Sequence, residues 1–153
     1  MKSGPYIEVI SLVERLHRHF LEIIKLELES SNIHDINNAQ ALMLFNIGDA
    51  EITVSELTAR GYYLGTNVSY NVKKMVENGY LAAERSAHDL RSYRVKLTKR
   101  GHILRDRLSV MHRRHIARLA RRGVTESDLK SAMAVLDRLE RFWVEVRNPY
   151  RRP

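Results

Sequence analysis

The sequence predicts a mainly α fold broken by one small β-ribbon, and three observations predict it. Thr53-Val54-Ser55-Glu56 opens a helix that Gly61 closes. A second helix begins near Thr66 and ends at Asn78-Gly79. Ser92 to Leu97 then alternates apolar with polar residues, as a half-buried strand does. Helix, tight turn, helix and ribbon in that order describe a winged helix-turn-helix, here flanked by long N- and C-terminal helices.

The elements follow in chain order. Tyr6, Val9, Ile10, Val13, Leu16, Phe20, Ile23, Ile24 and Leu28 recur at helical spacing, with Pro5 tolerated in the first turn. Asn37 or Asn38 caps the next helix, where Ala41, Leu42, Leu44, Phe45 and Ile47 pack before Gly48 stops it. Thr53 and Glu56 form a capping box, each satisfying a backbone donor at the start of the first reading-head helix. The turn from Gly61 to Gly65 uses two residues that tolerate positive φ. In the second helix Val68, Val72, Met75 and Val76 share one face, which leaves Thr66, Asn67, Ser69, Tyr70, Asn71, Lys73 and Lys74 on the other. Leu81 to Arg85 is the expected partner of the strand in which Tyr93, Val95 and Leu97 face one way and Ser92, Arg94 and Lys96 the other. Thr98 caps a long basic helix with Ile103, Leu104, Leu108, Met111, Ile116 and Leu119, running to about Gly123. Thr125 and Asp128 open the last helix, with Leu129, Met133, Leu136, Leu139, Phe142, Trp143 and Val146 as its apolar positions.

The polar face of the second helix suits a DNA major groove. Amides such as those of Asn67 and Asn71 can bond adenine in pairs, the hydroxyls of Thr66, Ser69 and Tyr70 can serve either kind of base pair, and Lys73 and Lys74 can reach guanine or phosphate. A plain solvated surface gives the same pattern, so the ribbon adds the discriminating feature. Its tip, Ser86-Ala87-His88-Asp89-Leu90-Arg91, carries an arginine able to enter a narrow, electronegative minor groove, and Asp89 can brace that guanidinium. Arg85 and Arg94 lie on the strands beside it.

These residues resemble the MarR family of bacterial transcriptional regulators. The likeness rests on the order helix, Gly-turn, helix ending at Gly79, a wing with Asp89-Leu90-Arg91, and Leu97-Thr98-Lys99-Arg100-Gly101 closing it; it covers nearly the whole chain. The resemblance implies a homodimeric repressor or activator, often released from DNA by a small ligand, with Arg91 as the wing's minor-groove arginine and Asp89 as its brace. Two departures stand out. Ala82-Ala83-Glu84 intervene before Arg85, where the family places an arginine sooner, and Ser92 replaces a common arginine or glycine. The expected organisation is one MarR-like domain over 1–153, with dimerisation helices at 5–34 and 99–148 around a winged helix-turn-helix at 37–98.

Composition agrees. The chain is one domain's length at 153 residues, and residues 85–122 hold 13 Lys/Arg against 2 Asp/Glu, an excess of 11 that leaves −3 for the rest of a chain of net charge +8. Such concentration is a footprint for a polyanion. With no cysteine, disulfides and thiol switches are excluded. No apolar run reaches the roughly 20 residues that span a bilayer, and no secretion signal is apparent, so a cytoplasmic protein is expected.

A reading head alone is too small to bury the flanking helices on all sides. Tyr6, Val9, Ile10 and Val13, with Leu139, Phe142, Trp143 and Val146, are therefore expected to join two subunits; with the family likeness set aside, closing a monomer's own core is an equal alternative. The dimer implies a pseudo-palindromic operator with half-sites about one helical turn apart. The resemblance also implies a crevice for a small aromatic effector, with His17, Phe20, Ile24, Phe45, Tyr62 and Tyr63 as candidates. His112-x-x-His115 and His17-x-His19 lack the accompanying carboxylates of a metal site, and no cofactor or metal is expected. No phosphate loop, nucleophile elbow or paired acid and base is present, so an enzyme is not expected. The rival classes are a non-specific architectural DNA- or RNA-binding protein and a protein-interaction module of the same fold.

Overall fold

The structure, a computed structural model, describes residues 3–61, 65–85 and 93–148, apart from the side chains at 61, 65 and 66. Along them run α1 (Ser3–Ser30), α2 (Asn38–Ile47), β1 (Ile52–Thr53), α3 (Val54–Gly61), α4 (Gly65–Glu77), β2 (Leu81–Arg85), β3 (Tyr93–Leu97), α5 (Lys99–Arg121) and α6 (Glu126–Arg147). They group into two compact units, Met1–Met111 and His112–Pro153.

In the first unit each helix stops and starts where local chemistry dictates. α1 ends as Asn32 takes a left-handed φ of 55°, which an asparagine tolerates, and the Ile33 amide closes onto the Leu28 carbonyl at 2.9 Å. Asn37 caps α2 through a capping box: its side chain accepts from the Gln40 amide at 2.8 Å, and its own amide donates to the Gln40 side chain at 3.1 Å. The Thr53 and Glu56 box forms as the spacing predicts, at 3.0 and 3.1 Å. At the end of α4, Gly79 sits at φ 79° while the Tyr80 amide bonds the Met75 carbonyl and the Gly79 amide bonds that of Val76, a Schellman closure.

The ribbon has three strands, correcting the two-stranded reading. The antiparallel order is β1-β3-β2, with Ile52 opposite Val95 and Thr53 opposite Arg94. A two-residue strand is too short to show alternation in sequence; it exists only because the outer edge of β3 offers backbone partners. β2 and β3 pair from Leu81 opposite Leu97 to Arg85 opposite Tyr93. The core beneath them gathers Ile24 and Leu28 of α1, Leu44 and Ile47 of α2, Leu57 of α3, Val68 and Met75 of α4, Val95 of β3, and Leu104, Leu108 and Met111 of α5.

A polar clasp fixes the exit of α4 and the start of α5. Asp35 receives the Tyr80 hydroxyl at 2.6 Å and the Arg100 guanidinium at 2.7 Å, and Arg100 also donates to the Asn78 carbonyl and stacks 4.4 Å from the Tyr80 ring centre. Burial disfavours the Asp35 anion, but these two donors outweigh it and hold its carboxyl below the usual range. Tyr80 is pushed up to about 12 by its own burial and by the Asp35 bond. Thr98 donates to the Gly79 carbonyl at 2.6 Å and accepts from the Gly101 amide at 3.2 Å. The Leu-Thr-x-x-Gly signature is thus the seam between wing and α5.

The second unit contains the end of α5 and all of α6. Gly123, at φ 84°, closes α5, and the Thr125 and Asp128 capping box opens α6. No residue of α6 is buried: Phe142 is 52% exposed, Val146 61% and Met133 67%.

Candidate nucleic-acid interface

α4 turns Val68, Val72 and Met75 into the core, so the helical period forces Asn67, Ser69, Tyr70 and Lys73 outward. Tyr70 is 61% exposed despite its large ring. Lys74 Nζ lies 3.4 Å from Glu77 and 5.9 Å from the Tyr70 ring centre, so this cation is held along the outer face. Asn71 is different. It sits at the flank of the helix, half-buried, and its side-chain oxygen accepts from Gln40 Nε2 at 3.1 Å. The side chain of Thr66 lies outside the described residues.

The wing strands carry Arg85 and Arg94 on opposite faces, because Arg85 shares its register with Tyr93 whereas Arg94 stands opposite Glu84. Arg85 donates to the Tyr93 hydroxyl at 3.1 and 3.0 Å and lies 5.4 Å from its ring centre. Lys96 approaches Glu84 at 3.9 Å on the other face. Asp89 and Arg91, at the tip, lie outside the described residues.

Part of the basic stretch serves the fold rather than an external anion. Arg100 belongs to the clasp, Arg105 bonds Asp49 at 2.5 Å, and Arg107 bonds the Ser31 hydroxyl at 2.7 Å. The Arg105 bond lowers the Asp49 carboxyl. Composition alone could not show that Arg100, Arg105 and Arg107 are engaged within the fold.

Of the expected effector residues, Ile24 lies wholly inside the core. Phe20 and Phe45 are half-buried against the same core, His17 is exposed, and Tyr62 and Tyr63 lie outside the described residues. A cleft between the end of α1 and the start of α2 is lined by Lys25, Leu28, Ile33 and Ile36 among others, and by none of the six candidates. Tyr6, Val9, Ile10, Val13 and Leu139 are half-buried, while Phe142, Trp143 and Val146 are exposed. The His112 and His115 rings are 6.5 Å apart, and among the described residues no group of three or more candidate ligands could hold a metal ion. Burial and the neighbouring His115 both lower the His112 pKa. Among the described residues no helix is long and apolar enough to cross a membrane.

Sequence reasoning missed Gln40 and the Asp35 clasp. The Asn37-x-x-Gln40 spacing does signal a capping box, but nothing local shows that the far side of the same amide reaches α4.

A helix-turn-helix with a three-stranded wing and a polar outward helix defines a class of winged-helix regulators. A sequence model of the MarR family matches residues 34–92. Over 138 residues, 90% of this chain and 71% of the relative, the chain is 34% identical to the exopolysaccharide II synthesis transcriptional activator ExpG of Rhizobium meliloti (strain 1021). The chain belongs to the MarR family, whose members are transcriptional regulators and not enzymes. Its fold matches that of Streptococcus pneumoniae FabT, solved in complex with DNA, with a TM-score of 0.74 at 20% identity over 92% of this chain and 99% of that one. It also matches Staphylococcus aureus MarR, solved in complex with salicylate and kanamycin, with a TM-score of 0.74 at 20% identity over 93% and 94% of the two chains.

Proposed function

We propose that this protein is a cytoplasmic, homodimeric regulator that binds double-stranded DNA sequence-specifically at a pseudo-palindromic operator. The observation that carries this reading is the outward face of α4, where Asn67, Ser69, Tyr70, Lys73 and Lys74 project together from a helix whose opposite side is locked in the core. That face supplies donors, acceptors and cations at the size of a major groove. Arg91, braced by Asp89, is assigned to the minor groove, with Arg85 and Arg94 at the flanking phosphates. The DNA complex of FabT supports the same use of the fold.

Dimerisation is supported by the apolar side chains that α1 and α6 leave accessible. Phe142, Trp143 and Val146, with Leu139, Tyr6, Val9, Ile10 and Val13, form the interface in this reading, and 1–153 acts as one MarR-like domain per protomer. A small aromatic carboxylate modulates binding by preferring one spacing of the two heads, a role suggested by the salicylate complex of the Staphylococcus aureus protein. His17, Phe20, Ile24, Phe45, Tyr62 and Tyr63 are its candidate contacts.

Selection of bound sites from randomised duplex DNA tests this reading. A two-fold symmetric motif, preferred over random sequence by roughly a thousandfold, is the expected result. Enrichment of no sequence, with steeply salt-dependent binding to all DNA, would point instead to an architectural protein.

A further inference from the structure

The buried amide of Gln40 carries information about how α4 reads DNA. Gln40 is 7% exposed, and it is the buried polar side chain among the described residues. Its oxygen accepts the Asn37 backbone N–H at 3.1 Å. A backbone N–H can only donate, so the atom facing it must be the oxygen, and the remaining atom of the Gln40 amide must be the NH2. That NH2 can only donate. Its partner, 3.1 Å away, is Asn71, which must therefore accept with its own oxygen. The orientation of the Asn71 amide is thus dictated step by step from the backbone of α2.

We infer that Gln40 is a positioning residue for base recognition: it turns the oxygen of Asn71 inward and leaves the NH2 of Asn71 as the group offered to the major groove. An adenine pair uses the amide oxygen and nitrogen together on one edge, and here one lone pair of that oxygen is already engaged by Gln40 on the inner side, which disfavours the paired geometry. The outward donor instead selects acceptor atoms, and guanine, with N7 and O6, provides two. This inference rests on the DNA-reading role assigned to α4 above and replaces the adenine expectation for Asn71.

Two substitutions reverse the outward group by different routes. Gln40→Glu keeps an acceptor for the Asn37 amide, preserving the capping box, but removes the donor, so Asn71 must flip and donate inward. Asn71→Asp keeps the bond from Gln40 and can present only an acceptor outward. Site selection from randomised duplexes, run on the wild type and both variants, is the experiment. Both variants should move the same symmetric pair of positions from guanine toward adenine or cytosine, whose exocyclic amines donate, with a relative change of about fivefold to tenfold. If the wild type yields a motif and Gln40→Glu, folded by circular dichroism, yields the same one, the relay is overturned while the regulator reading stands. Should Gln40→Glu fail to fold, Asn71→Asp decides: the predicted shift supports the relay and an unchanged motif overturns it. A wild type that enriches no sequence removes both readings.

Discussion

The carbonyl oxygen of Tyr80 occupies the space that the β-carbon of any larger residue at position 101 would need. Leu97 crowds the same point, with side-chain atoms 3.1 and 3.2 Å from it. The start of α5 therefore lies directly against the chain leaving α4, a closeness that only glycine permits at this position. Gly101→Ala should lower unfolding free energy by about 1–3 kcal/mol, since the obstructing atom is backbone and cannot swing aside. Urea denaturation measures it; an unchanged midpoint would mean that this seam is more pliant than its geometry implies.

The Asp35 clasp should weaken in acid. Its carboxyl is lowered in the folded state, so its contribution is complete above the ordinary carboxylate value of about 4 and is lost as pH falls through the lowered folded value. Asp35→Asn should lower stability at neutral pH by about 1 kcal/mol or less, because the side chain is 39% exposed and screened by solvent. The difference between wild type and variant should shrink below about pH 4. Denaturation midpoints from pH 7 to pH 2 report it, and a difference that persisted undiminished at low pH would contradict the assigned ion pair.

Lys74, on the outward face of α4, is within the class of side chains that can reach phosphate, and Arg91 is assigned to the minor groove. Replacing either with alanine should weaken binding to all sequences similarly and reduce the slope of log affinity against log salt by about 0.9 for each phosphate no longer neutralised. Titrations at several salt concentrations provide the slope. Equal slopes for wild type and variants would remove these residues from the interface.

Because α6 buries none of its residues within the chain, its apolar face should find cover in a second copy. Sedimentation at micromolar concentration should show a dimer, and Trp143→Glu should dissociate it. Thermal unfolding of the wild type should rise in midpoint with protein concentration, as expected when association and folding are linked. A monomer with a concentration-independent midpoint would refute the pairing.

Much of this architecture was legible because its signals are local. The Thr53 and Glu56 box, the Thr125 and Asp128 box, the left-handed glycines 79 and 123 and the β2–β3 pairing all depend on residues close in sequence. Helical period and glycine stereochemistry suffice to place them. The outward face of α4 follows from the same period once Val68, Val72 and Met75 are known to point inward.

The sequence by itself determined the class of fold, the order of its elements and the polar helix face proposed to read DNA, since these are set by side-chain spacing and caps along one stretch of chain. Tertiary structure alone decided that β1 pairs with β3, that Ile24 is core, that Arg100 and Arg105 serve Asp35 and Asp49, and that Gln40 orients Asn71. Each of these joins residues tens of positions apart, and a charge or an amide looks the same in sequence whatever partner the fold brings to it.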